Sequence, residues 1–173
     1  MAILELTPPQ KAEGKLAELY ASAEQFFGSV PSNVQLYGVS PDILENQMYF
    51  MEYFMKHRTL GAPLLSMIRI LVARACKSPY CDSYNVNVLK RLGFEIEQID
   101  AARMDPMQAP LNDKDKAMLL FVLKATSEPH SVGSDDLNAL KALGWAERDM
   151  LDAVAHGARA VSTNIVFDTF KVD

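Results

Sequence analysis

Residues 63–93 have the sequence PLLSMIRILVARACKSPYCDSYNVNVLKRLG, and their pattern indicates the fold class. Its apolar side chains recur at helical spacing, so Pro63 opens a predicted helix over Leu64–Lys77. The pair Ser78-Pro79 then places a preferred N-cap residue before a proline at the first helical position. The helix that starts there is predicted to end at Gly93, because glycine is typical of the position after a helix. The stretch therefore predicts two consecutive helices.

The same periodicity extends over almost the whole chain, and no stretch alternates apolar and polar residues over the length of a strand. The other predicted helices are Lys11–Phe27, Ser40–His57, Glu95–Arg103, Asn112–Ser127, Ser134–Gly144 and a last helix from Glu147 almost to the C-terminus. We therefore expect an all-α bundle of about eight helices with short connections. A length of 173 residues is consistent with a single domain over residues 1–173.

The composition excludes several classes of protein. Apolar residues make up 49% and charged residues 23% of the chain, which is typical of a globular domain. The net charge of −5, without a basic face, argues against a nucleic-acid partner. The longest apolar run, Ala117–Leu123, is far shorter than the roughly 20 residues that span a bilayer. The N-terminus lacks a basic segment followed by an apolar one, so we expect a cytoplasmic protein without a membrane partner.

A group of chemically interesting side chains lies in residues 74–85, RACKSPYCDSYN. With Ser78 as N-cap, Cys81 lies in the first turn of a helix, where backbone N–H groups and the helix dipole favour the thiolate. Asn85 follows one turn later, so its amide can reach the sulfur or a molecule bound there. The charge of Asp82 acts in the opposite direction and raises the thiol pKa. Cys81 is therefore either a reactive thiol or a small buried side chain.

The chain has one other cysteine, Cys76, five residues before Cys81. A sharp turn at Ser78-Pro79 would bring the two Cα atoms within the roughly 4–7 Å that a disulfide needs, whereas helices stacked without such a turn would keep them apart. The spacing C-x4-C is not usual for zinc, and no histidine lies within the next two turns. Because no nucleotide-binding loop is present either, we expect neither a metal nor a cofactor.

Three stretches resemble the alkylhydroperoxidase D/carboxymuconolactone decarboxylase family, in particular its branch of peroxidase-related proteins. They are VPSNVQLYGVSPDILENQMYFMEYFM (residues 30–55), RILVARACKSPYCDSYN (residues 69–85) and PLNDKDKAMLLFVLKAT (residues 110–126). The resemblance extends from about Leu16 to Phe167. The resemblance implies an all-α fold, and it implies that copies of the chain assemble into dimers, trimers or hexamers.

In peroxidatic members of this family a C-x-x-C-x-x-x-H motif opens a helix, and a glutamate lies a dozen residues upstream. The glutamate and histidine relay protons to the second cysteine, and the first cysteine resolves its oxidised form. The resemblance places Cys81 at the second cysteine, Ser78 at the first, Asn85 at the histidine and Ser66 at the glutamate; a second register places Cys76 at the first cysteine. Neither register restores the relay, because serine forms no disulfide and an amide accepts no proton at neutral pH.

The first functional hypothesis is a peroxiredoxin-type, antioxidant activity on small hydroperoxides. In this hypothesis Cys81 attacks the peroxide and becomes a sulfenic acid, which Cys76 or an external thiol resolves. Asn85 and Tyr80 orient the bound peroxide, and Ser78 holds the start of the helix.

Two alternatives remain open. One is an oligomeric, non-catalytic protein that binds a small molecule. The other is a lyase similar to carboxymuconolactone decarboxylase, acting on a small carboxylate with Arg69, Arg74 and Lys77 as cationic partners. We interpret these three charges mainly as an exposed or interface surface. His156 is interpreted mainly as a packing histidine of the last helix, with the alternative that it supplies a base near Cys81.

Overall fold

The structure, a computed structural model, describes residues 2–75 and 79–172, with the backbone alone for residues 75 and 79–84. Within this part of the chain it contains α-helices, three short 3-10 helices and no β-strand, which confirms the predicted all-α class. The helices are α1 (Gly14–Phe27), α2 (Ser32–Tyr37), α3 (Pro41–Met55), α4 (Ala62–Ala75), α5 (Pro79–Arg91), α6 (Ile96–Met104), α7 (Asp113–Ser127), α8 (Ser134–Ala142) and α9 (Glu147–Phe170). None of these helices is both long and apolar enough to cross a bilayer.

Most predicted helix ends lie within a few residues of the observed ones. Pro79 is the first residue of α5, and Gly93 follows that helix with a φ of 90°, which glycine adopts without strain. The prediction omits α2, because six residues are too few to show a helical period. The predicted N-cap of α8, Ser134, is wrong, because Ser134 is the first residue of that helix. The observed N-cap is Gly133, whose backbone N–H donates to the Asp136 carboxylate over 2.8 Å.

The chain divides into two compact units, Met1–His57 with Val166–Asp173, and Arg58–Ile165. In the first unit α1 packs on α3 around Tyr20, Ala23, Val34 and Leu44, all of them buried. The boundary between the units falls within α9, so that residues 147–165 of this helix belong to the second unit.

The second unit is built around α4, which packs against α5, α6 and α7. Nearly every residue from Leu64 to Ala73 is buried, and a helix that is apolar on all sides is expected at the centre of a bundle. Two polar side chains interrupt this apolar helix, Ser66, which is 1% exposed, and Arg69, which is half-buried. The centre of the bundle therefore contains polar groups that need partners.

Helix α9 approaches the bundle closely at Gly157. A Cβ atom added there would lie 2.5 Å from Val122 Cγ1 and 3.1 Å from Thr126 Cγ2, both on α7. The absence of a side chain thus lets α9 pack directly on α7, and it places the adjacent His156 inside the second unit. The small residues Ala153 and Gly157 therefore pack against other parts of the same chain.

We expect Gly157→Ala to lower the free energy of unfolding. Overpacking a buried site costs about 1–3 kcal/mol, and Val122 is completely buried and has little room to move. This cost exceeds the ~1 kcal/mol by which alanine stabilises a helix interior relative to glycine. Urea denaturation measures the difference; a more stable variant would show that α7 and α9 separate easily.

Candidate functional site

The predicted reactive segment lies at the start of α5. Tyr80 and Cys81 are in the first turn of the helix, as predicted, and their backbone is described. Their side chains lie outside the described part of the structure, and so do Cys76 and Ser78 altogether. The predicted N-cap role of Ser78 and the pairing of Cys76 with Cys81 therefore stay predictions.

Two residues that the resemblance places at the relay positions, Ser66 on α4 and Asn85 on α5, are joined through Arg69. The Nε atom of Arg69 donates a hydrogen bond to Asn85 Oδ1 over 2.8 Å, and its Nη2 donates to Ser66 Oγ over 2.9 Å. Both partners are buried, with Asn85 only 4% exposed. The structure thus places a guanidinium between the positions where the resembled family has a glutamate and a histidine.

His156, on α9, is the third partner of this guanidinium. Its Nε2 lies 3.2 Å from Arg69 Nη1 and 3.3 Å from the carbonyl oxygen of Leu65. The two contacts need opposite forms of the ring nitrogen, because Arg69 only donates and the carbonyl only accepts. Since arginine stays protonated, the contact with Arg69 requires a neutral ring that carries its proton on Nδ1. In this form Nε2 accepts from the guanidinium.

The surroundings of His156 also favour the neutral ring. Burial lowers its pKa, and the positive charge of Arg69 lowers it further, whereas the Leu65 carbonyl acts weakly in the opposite direction; the result is a pKa of about 3. The ring therefore does not take up a proton at neutral pH. The alternative in which His156 supplies a base for Cys81 is not supported, and the geometry assigns it the role of an acceptor that holds Arg69.

The hydrogen bond from Arg69 fixes the orientation of the Asn85 amide. Because Oδ1 accepts from Nε, the Nδ2 amide is the donating end of the side chain. Asn85 lies four residues after Cys81 on the same helix, which is about one turn, or ~6 Å along the axis. The site thus combines a helix start, an oriented amide donor one turn after Cys81, and a fixed positive charge beside that amide. Such an arrangement favours anionic groups.

The roles of Arg69 and His156 in this polar network were not predicted from the sequence. The interpretation of Arg69 as an exposed charge is wrong, whereas Arg74 is exposed and its guanidinium lies 3.7 Å from the Met104 sulfur; Lys77 lies outside the described residues. A signal for Arg69 was present, because it follows Ser66 by three residues in an otherwise apolar helix, which puts both on one face. No comparable local signal exists for His156, since its partner is 87 residues away.

Among the side chains that the structure describes, no three His, Cys, Asp or Glu residues come together as a metal site. The two cysteines are outside that set, so the predicted absence of a metal stays a prediction.

Comparison with known proteins identifies the fold. No protein-family model matches the sequence, and no curated protein is significantly similar to it. Two crystal structures superpose with a TM-score of 0.87 over 99% of this chain and 91% of theirs. One is the alkylhydroperoxidase AhpD core of an uncharacterized peroxidase-related protein from Ralstonia eutropha JMP134, 19% identical. The other is an uncharacterized peroxidase-related protein from Silicibacter sp. TM1040, 20% identical.

A third structure is the debrominase Bmp8, as a variant with one cysteine replaced by alanine and in complex with 2,3,4-tribromopyrrole. It matches with a TM-score of 0.77 and 16% identity over 100% of this chain and 93% of that chain. All three sequence identities are low, so these matches establish the fold but not the activity. They confirm the expectation that the resemblance gave for the architecture: the chain has the all-α fold of the AhpD-like proteins.

Proposed function

We propose that this protein reduces small hydroperoxides through Cys81, with the guanidinium of Arg69 in place of a glutamate–histidine relay. The observation that carries the proposal is the hydrogen bond between Arg69 and Asn85, because it holds a positive charge beside Asn85, which follows Cys81 by about one helical turn. The AhpD-like fold and its peroxidase-related neighbours support the choice of reaction.

The proposed role of Arg69 is to favour the thiolate of Cys81. A neighbouring cation lowers a thiol pKa, and the first turn of α5 acts in the same direction through its N–H groups. Asp82 opposes both. A guanidinium stays charged throughout the physiological pH range, so its effect does not depend on a second titrating group.

In the proposed reaction the Cys81 thiolate attacks the outer oxygen of the hydroperoxide. The O–O bond breaks, the sulfur becomes a sulfenic acid, and the alkoxide leaves and takes a proton from water. The sulfenic acid then condenses with the Cys76 thiol or an external thiol, which forms a disulfide and releases water. An external dithiol supplies the two electrons that reduce this disulfide. Asn85 donates its amide to the bound peroxide, Tyr80 helps to orient it, and Ser78 caps α5.

Cys81→Ala is expected to lower hydroperoxide turnover at least about 100-fold, because the variant lacks the nucleophile that the reaction requires. The measurement is consumption of tert-butyl hydroperoxide with dithiothreitol as electron donor. Cys76→Ala is the matched control: it keeps the nucleophile, and an external thiol can resolve its sulfenic acid, so the first turnover should persist. Equal turnover by the wild type and Cys81→Ala would refute the proposal, and carboxylate turnover that survives loss of the cysteines would favour a lyase.

A second candidate is thiol-dependent removal of halogen from an aromatic ring, because a debrominase shares the fold over the full chain. Two thiols would supply the two electrons, the carbon would gain a proton in place of bromine, and bromide would leave as the thiols form a disulfide. Bromide release from 2,3,4-tribromopyrrole, absent in Cys81→Ala, distinguishes this reaction from peroxide reduction.

We also propose that the protein works in the cytoplasm as a homo-oligomer. A reducing compartment keeps Cys81 available as a thiol between turnovers.

A further inference from the structure

Met104 is the most exposed methionine in the part of the chain that the structure describes. It is the last residue of α6 and is 78% exposed, compared with 55% for Met107 and 53% for Met55. The other described methionines are partly or completely buried. Because the oxidation of a thioether requires contact with the oxidant, Met104 is the methionine most accessible to an oxidant in solution.

The sulfur of Met104 also has a cationic neighbour. Its Sδ accepts a hydrogen bond from the guanidinium of Arg74, whose Nη2 lies 3.7 Å away. Arg74 is in the last turn of α4, so this contact joins the ends of α4 and α6 within the second unit. A thioether is a weak acceptor, and both side chains are exposed, so the contact contributes little to the stability of the fold. It does place a guanidinium beside an oxidisable sulfur.

We propose that Met104 is a site of oxidation by small hydroperoxides and that Arg74 makes it more reactive than the other exposed methionines. A lone pair of the sulfur attacks the terminal oxygen of the hydroperoxide, the O–O bond breaks, and the sulfur becomes a sulfoxide. Two electrons pass from the sulfur to the peroxide. The proton of the terminal OH group goes to the departing oxygen, which leaves as an alcohol. Each Met104 side chain thus consumes one hydroperoxide.

The role of Arg74 in this reaction is to bind the departing oxygen, on which negative charge develops as the O–O bond breaks. A guanidinium has five N–H donors, so it can contact the sulfur and the peroxide at the same time. A charged donor that is already held beside the reacting atoms stabilises this charge in the transition state. Because the site is open to solvent, we expect an effect of a few-fold on the rate.

Arg74 also binds the product more strongly than the reactant. The sulfoxide carries an oxygen, and a charge-assisted hydrogen bond to oxygen is stronger than one to a thioether sulfur. Oxidation of Met104 therefore strengthens the link between the ends of α4 and α6. Since Arg74 precedes Cys76 by two residues, the modification acts on the helix end that leads into the cysteine segment.

The inference is independent of the chemistry of Cys81, and it is tested in a full chain that carries Cys76→Ser and Cys81→Ser, so that no thiol consumes the oxidant. This parent chain is treated with tert-butyl hydroperoxide, and peptide mass spectrometry follows the formation of sulfoxide at each methionine over time. We expect Met104 to be oxidised at least about threefold faster than Met107, which is more than their difference in exposure accounts for.

Substitutions of Arg74 test its role. Arg74→Leu should lower the oxidation rate of Met104 at least about threefold and leave that of Met107 unchanged. Leucine keeps an apolar stem over the same surface, so Met104 does not become more buried or more exposed by much. Arg74→Lys retains a cationic donor and should retain part of the effect. Arg91→Leu is the control, since it removes an exposed cation from the end of α5 and should change neither rate; circular dichroism shows that each variant is folded.

Two results would overturn the inference. Equal oxidation rates at Met104 and Met107 in the parent chain would mean that the neighbouring guanidinium gives the sulfur no advantage. An unchanged rate at Met104 in Arg74→Leu would mean that exposure alone determines its reactivity. Since the parent chain has no cysteine, neither result depends on whether Cys81 reduces hydroperoxides, and the proposed function is tested separately.

Discussion

Replacing Arg69 with methionine is expected to destabilise the protein by about 2 kcal/mol or more. Methionine fills a similar volume but donates no hydrogen bond, so Asn85 Oδ1 and Ser66 Oγ lose the guanidinium. His156 Nε2 keeps its contact with the Leu65 carbonyl oxygen. Leaving a buried polar group unsatisfied costs about 1–3 kcal/mol each. The removal of a half-buried charge offsets part of this loss. Guanidinium chloride denaturation at pH 7 measures the difference.

Two further variants separate charge from geometry. Arg69→Lys keeps the positive charge, but an ammonium at one point cannot reach three partners that lie in different directions, so we expect an intermediate loss. Ser66→Ala removes one partner, and we expect a loss of about 1 kcal/mol. A loss below about 1 kcal/mol for Arg69→Met would show that the network contributes little to stability.

The same substitution should change the reactivity of Cys81. If Arg69 favours the thiolate, the inflection in the pH profile of iodoacetamide alkylation moves up by about one pH unit in Arg69→Met, as expected for loss of a cation near a thiol. A Cys76→Ser background makes Cys81 the reacting cysteine. An unchanged profile in a folded variant would leave Arg69 with a structural role alone. Stability and alkylation together therefore distinguish the two roles.

The sequence predicts the fold well because helical period and helix ends are local properties. Pro79 and Gly93 mark the ends of α5 through the conformations of proline and glycine alone. The short helix α2 is missed because its six residues between Pro31 and Gly38 show no period. Local signals thus determine most of the architecture.

The candidate site is predicted less completely, because its centre depends on contacts between distant residues. The resemblance places Ser66 and Asn85 at related positions, and the structure brings them to one guanidinium. The identity of that partner does not follow from spacing, since a charged residue is exposed far more often than it is half-buried. His156 reaches the site only because Gly157 lets α9 approach α7.

The second large effect is expected from His156 in acid. The unfolded ring binds a proton near its ordinary pKa of about 6.5, whereas the folded ring stays neutral down to about 3. Between these values the unfolded state binds more protons, so the stability that the neutral ring provides is complete about one pH unit above 6.5 and is lost as the pH falls. The slope approaches about 1.4 kcal/mol per pH unit below pH 6.5, and the loss between pH 6.5 and 4.5 is roughly 2 kcal/mol.

His156→Gln is the matched variant, because an amide oxygen can accept from Arg69 but does not titrate. Carboxylates whose pKa is lowered by ion pairs, such as Asp42 and Asp136, also destabilise the folded state in acid. They are common to both proteins and cancel in the difference. Between pH 6.5 and 4.5 we expect the free energy of unfolding to fall more for the wild type than for His156→Gln. Parallel curves would contradict a neutral, buried ring.

The same pair of proteins also tests the chemistry of the site. If His156 acted as a proton acceptor for Cys81, hydroperoxide turnover by the wild type would show an inflection that His156→Gln lacks. A ring with a pKa of about 3 cannot take that role at neutral pH, so we expect both proteins to follow one profile, set by the Cys81 thiol. A neutral ring has a different use, because it accepts from a guanidinium without cancelling its charge. In this site the histidine accepts a hydrogen bond from Arg69 without cancelling its charge, and we propose that this charge favours the Cys81 thiolate.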